Sequence, residues 1–203
     1  MKGLSRVVIS LLAAALLPLF GRAGAADAPA RPAAPAVADA PLYDVEMVVF
    51  RAVKVGPAED WNVVPPGRGF GNTGSGGGAA PQVVRILGAN AYRLDGVVDD
   101  LRINGSWRVV AHAAWVQTAP AWGSHVGVPL SQVGVNVPGL SGTVYLERAP
   151  LYLHLGFDVS LTHGATYTIN EMRNVRQNEK QYYDHPAFGI IAVVNEVKQP
   201  ATP

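Results

Sequence analysis

The chain has 203 residues, 16 of them basic and 15 acidic, for a formal net charge of +1, and it has no cysteine. A near-neutral balance argues against nucleic acid, which calls for a basic face. The missing thiols exclude disulfides, thiolate metal sites and a lipid-anchored cysteine at a processed N-terminus.

Residues 1–26 read as a secretory signal peptide. Lys2 and Arg6 precede an apolar run from Val7 to Phe20, and Ala23-Gly24-Ala25 supplies small residues for cleavage. The run is short for a membrane span, which needs about 20 apolar residues. Cleavage removes three basic residues and no acid, leaving 13 basic against 15 acidic, net −2. The expected product is a periplasmic protein with no membrane anchor. Residues 27–42 are almost entirely Ala, Pro, Asp and Val, have no periodicity, and read as a linker. Residues 43–198 suit one domain, and 199–203 form a tail.

Within that domain Tyr43 to Val53 alternates, with Tyr43, Val45, Met47 and Val49 on one face and Asp44 and Glu46 on the other, which predicts a strand. Trp61 to Pro81 is a glycine-rich loop. Its Gly69-Phe70-Gly71-Asn72-Thr73-Gly74 matches a dinucleotide fingerprint by letter, but Pro65 and Pro66 break any strand before it and no helix follows. Leu87, Ala91, Leu94, Val98 and Leu101 share a helical stripe that Asn104-Gly105 ends. Trp107 to Gln117 reads as a strand with Trp107, Val109, Ala111, Ala113 and Trp115 on one face and His112 on the other. Ala119 to Pro138 reads as a loop carrying Trp122 and His125. Ser141 to Glu147 and Leu151 to Leu161 form a hairpin, Thr166 to Gln177 a further strand, and Phe188 to Val197 the last. The pattern predicts an α+β fold: a mainly antiparallel sheet of about six strands, one long helix packed on one face, and a ferredoxin-like first half.

Arg173 to Gly189 reads as an unusual loop, dense in charge, rings and amides where turns usually carry small polar residues. Several of these segments together resemble the CsiV family of periplasmic peptidoglycan-binding proteins. The resemblance rests on Tyr43 to Phe50, on His112 to Gln117, on Gly142 to Leu146 followed by Leu151 to Leu155, and on Arg173 to Arg176 with Tyr182 to Gly189. It covers most of 43–194. It implies an exported, non-enzymatic factor that binds peptidoglycan and supports an outer-membrane lipoprotein activator of a class A penicillin-binding protein, so that wall synthesis proceeds. The chain departs from the family pattern at Leu151, where Arg is favoured, at Asn174, where a second Arg is favoured, and at Gln181, where His is favoured.

A glycan strand with peptide stems calls for aromatic platforms, amides for hydroxyls and guanidinium forks for carboxylates. Arg173, Asn174, Arg176, Tyr182, Tyr152, His154 and His185 are the residues expected to bind it. Arg173 and Arg176 have opposite strand parity, so both reach one ligand only if a bulge or twist intervenes; the competing role for each is a surface ion pair. Tyr152 and His154 share the face opposite the leucines, either as an open platform or as a covered second layer. The five histidines lack metal-ligand spacing, and no nucleophile elbow is present. No catalytic residue, metal or cofactor is therefore assigned. Two other readings stay open: an envelope protein-interaction module using Trp61, Trp122 and the glycine loop, and a wall hydrolase using Glu46, Glu147 or Asp184 as its carboxylates.

Overall fold

The computed structural model describes residues 40–54 and 80–198. The signal peptide, most of the linker, the glycine-rich loop with its fingerprint and Trp61, and the tail lie outside the described residues. Nine strands are present among the described residues: β1 (Leu42–Ala52), β2 (Val83–Ile86), β3 (Trp107–Thr118), β4 (Val128–Pro129), β5 (Leu140–Arg148), β6 (Leu153–His163), β7 (Ala165–Val175), β8 (Gln181–His185) and β9 (Phe188–Val197). They make two sheets, in the orders β2-β3-β1-β9-β8 and β4-β5-β6-β7. Every pairing between them is antiparallel.

Period-2 alternation builds the core. Tyr43, Val45, Met47 and Val49 of β1 and Phe188, Ile190, Ala192 and Val194 of β9 meet Leu153, Leu155, Phe157, Val159 and Leu161 of β6 in one buried cluster. The two sheets therefore pack face to face. Trp115 and Tyr183 are wholly buried in the same layer, and the Tyr183 hydroxyl donates to the Leu155 carbonyl across it at 2.7 Å.

This arrangement corrects the expected fold class. The described residues form a two-sheet, nearly all-antiparallel structure with one α-helix, the nine-residue α1 (Asp95–Ile103), and not one sheet with a long helix. The expected stripe from Leu87 breaks because the chain is diverted before α1. Leu87 N–H bonds back to the Ala114 carbonyl, and Glu46 seizes the backbone N–H groups of Arg93 (2.8 Å) and Leu94 (2.9 Å). A buried carboxylate thus starts the helix from outside it, in place of a local capping side chain. The α1 residues Val97, Val98 and Leu101 cover Val48, Val109, Ile191 and Val193 on the outer side of the first sheet.

The ferredoxin-like opening also fails. A split β-α-β unit needs β1 parallel to its neighbour, whereas β1 lies between β3 and β9 and is antiparallel to both. Three strands went unread, β2, β4 and β8; all are short edge strands with little alternation. The stretch Arg173 to Gly189 is accordingly the end of β7, a turn, β8 and a tight hairpin into β9, and not a single loop.

A bulge corrects the face assigned to β3. Val49 pairs with Ala111 but Phe50 pairs with Val109, so Val110 is the extra residue. Ala111, Ala113 and Trp115 point into the core. Val109 joins the helix layer, and the Trp107 ring meets Phe50 edge-on at 5.2 Å.

Candidate functional site

The outer face of the second sheet carries a row of polar side chains. Glu147 of β5 stands opposite His154 of β6, which stands opposite Asn174 of β7. The next paired position is Leu153 with Val175. One step beyond it Tyr152 and Arg176 leave the strands side by side and line one groove. Four of the seven expected residues, Tyr152, His154, Asn174 and Arg176, therefore come together on one face.

Trp122 lies over this row. Its ring stacks on His154 with centroids 3.6 Å apart and planes 22° apart, and the indole remains 49 % exposed. The loop after β3 holds it there. Trp122 N–H donates to the Arg148 carbonyl at 3.0 Å, and Arg148 N–H returns a bond to the Pro120 carbonyl at 2.8 Å. The Glu147 carboxylate, with no exposed surface, accepts from Gly123 N–H (2.8 Å), Ser124 Oγ (2.9 Å) and His125 N–H. Gly123 and His125 both adopt positive φ, which curls the loop around those two oxygens. Three donors satisfy a charge that burial would otherwise penalise heavily. Burial lowers the pKa of His154 from the ordinary 6.5 against the opposing pull of Glu147, so the ring under Trp122 favours its neutral form.

The arrangement has a definite chemical capacity. A fixed, half-exposed indole offers a flat apolar surface with a negative π-face. Asn174, beside the stacked imidazole, supplies amide donors and an acceptor. That combination matches a ring with C–H groups on its face and hydroxyls or N-acetyl groups at its edge.

The other three expected residues lie elsewhere. Arg173 has the inward parity. Its Nη1 donates to the Tyr182 carbonyl at 2.6 Å, its Nε pairs with Glu171, and its guanidinium sits 5.0 Å over the Tyr183 ring. It ties β7 to β8 where the edges of the two sheets meet. Tyr182 is on the outer face of the first sheet, stacked on Phe50 at 6.1 Å, and its hydroxyl donates to Asp184 at 2.8 Å. Burial, then that bond, pushes its pKa up to about 12. His185 sits in the hairpin turn, where Nδ1 accepts from Ala187 N–H at 3.1 Å and the ring lies between Tyr167 and Phe188. Burial lowers its pKa against the opposing Asp184.

The carboxylates offered for a hydrolase are engaged. Glu147 clamps the Trp122 loop. Glu46 is buried with the Arg93 and Leu94 amides, and His112 Nε2 lies 2.8 Å from it. Asp184 accepts from Tyr182. Sequence reasoning placed Trp122 in a loop as a partner-surface candidate but did not join it to His154, because the stacking depends on a clamp formed by backbone amides. The chain matches no family model, no curated protein and no solved structure.

Proposed function

We propose that this chain is an exported, non-catalytic protein of the periplasm that binds peptidoglycan and supports cell-wall synthesis. The compartment follows from the signal-peptide pattern, and the wall-synthesis role from the resemblance to the CsiV family. The observation that carries the glycan reading is the half-exposed Trp122, held flat on His154 beside Asn174. An indole left open to water by a loop clamped this tightly favours a ligand that stacks. The outer-membrane lipoprotein activator of a class A penicillin-binding protein is the proposed partner.

Co-sedimentation with purified sacculi, followed by analysis of the supernatant for soluble muropeptides, tests this function. The expected result is pelleting with a silent supernatant. Trp122→Ala is expected to weaken pelleting by roughly 30-fold, the ~2 kcal/mol typical of an aromatic anchor, with an unchanged circular dichroism spectrum. Equal pelleting of the variant would remove the platform. No pelleting by the native protein would turn the function toward a protein partner, and released muropeptides would turn it toward hydrolysis.

A further inference from the structure

The groove that Tyr152 and Arg176 line opens where the β5–β6 hairpin and the end of β7 meet the start of β1. It encloses about 370 Å³, a size that suits a small ligand. Two guanidiniums line it, Arg148 at the end of β5 and Arg176 just past β7. Both residues are exposed, and neither side chain pairs with a carboxylate among the described residues. The acid opposite Tyr43 on the adjoining strand, Glu196, engages Gln177. Gln177 Nε2 donates to it at 3.4 Å, and Glu196 N–H donates to Gln177 Oε1 at 3.2 Å.

Apart from Gln177, the rest of the lining is mainly apolar and unusually open. Leu151 at the hairpin tip is 82 % exposed, Tyr152 is 54 % exposed, and Val175 and the edge of Tyr43 lie beneath. A leucine that exposed, beside a tyrosine and two unpaired cations, combines a hydrophobic contact with a site for one negative charge. Two guanidiniums on one groove suit a planar carboxylate, which each can fork with two parallel N–H bonds.

We infer that this groove binds the free carboxyl end of a peptide with aliphatic last residues, the carboxylate between Arg148 and Arg176 and the aliphatic side chains against Leu151 and Tyr152. The site uses groups other than the indole platform and does not rest on the glycan reading. Two backbone hydrogen bonds fix Arg148, whose N–H donates to the Pro120 carbonyl and whose carbonyl accepts from Trp122 N–H. Only the guanidinium is free to meet a ligand.

Fluorescence polarisation with the full chain and a labelled Gly-Ala-Ala-Leu peptide tests the inference. The free acid is expected to bind and the C-terminal amide to bind about ten-fold more weakly or worse. Arg148→Gln and Arg176→Gln are each expected to weaken the acid to the level of the amide, and added salt to act in the same direction. Equal binding of acid and amide, or native affinity in the double variant, would overturn it, as would no binding of either peptide. Chitotetraose in the same assay separates the two sites. Trp122→Ala is expected to lose the saccharide and keep the peptide, and Arg148→Gln the reverse. Loss of both ligands in every variant would overturn the separation.

Discussion

A carboxylate buried without water must find its donors in the fold, and this chain uses two of them for one purpose. Glu46 captures the amides that precede α1, and Glu147 captures the amides that carry Trp122. Each converts a strand position into an anchor for a segment far away in sequence. Glu147→Gln keeps the size but sets an NH2 group against loop donors, leaving one of them unsatisfied. The expected cost is about 1–3 kcal/mol in chemical denaturation, together with a red shift and broadening of tryptophan emission as the Trp122 stack loosens; an unchanged spectrum and midpoint would show that the clamp is dispensable. Neither role was legible beforehand. Most partners of both glutamates are backbone N–H groups, which have no signature in the amino-acid letters, so by residue type alone the two looked like candidate catalytic acids.

At the scale of elements, alternation was readable wherever a strand has one buried face. β1, β5, β6, β7 and β9 fall within a residue or two of their expected ranges because their apolar residues recur at every second position. The face of β3 was misread because one bulged residue reverses parity, and its cause, the seating of Phe50 and Trp107 outside the core, is a tertiary matter. Helix length was misread for a similar reason: of the stripe from Leu87 only Leu94, Val98 and Leu101 pack on the sheet, and Glu46 imposes the start. Phe50 depends on a further element-level detail, the absence of a side chain at Gly189 on β9. A Cβ there would stand 2.6 Å from Phe50 Cζ and 3.1 Å from the Tyr182 ring. Gly189→Ala is expected to destabilise the domain by about 1–3 kcal/mol through displaced rings; a native urea midpoint would mean that Phe50 and Tyr182 move aside freely.

Across the whole molecule, the histidines link stability to pH. His154 beneath Trp122, facing Glu147 and Asn174, and His185 between Tyr167 and Phe188, beside Asp184, both have pKa values held below the ordinary 6.5 by burial. The unfolded chain therefore binds protons that the folded chain refuses, so their contribution is complete above 6.5 and is lost as pH falls from there toward the folded values. The limit is about 1.4 kcal/mol per pH unit for each ring. The thermal midpoint is expected to fall between pH 7 and 5, and less steeply in His154→Gln; a midpoint rising with acid would reverse the sign and sink the account. The two-sheet architecture itself was not legible, because the pairing of β1 with β9 and the exclusion of β4 to β7 from the first sheet depend on contacts distant in sequence.

One pairing described above bears on the order in which the chain acquires its structure. β1 is the central strand of its sheet, and its second neighbour is β9, with Leu42 opposite Val197. The earliest strand of the domain to emerge can thus obtain its full complement of ladder bonds only when the latest one arrives. Closing a loop of that length before any reward is the slow step in topologies of this kind. A chain with such a dependence completes its central ladder only once its last strand is present.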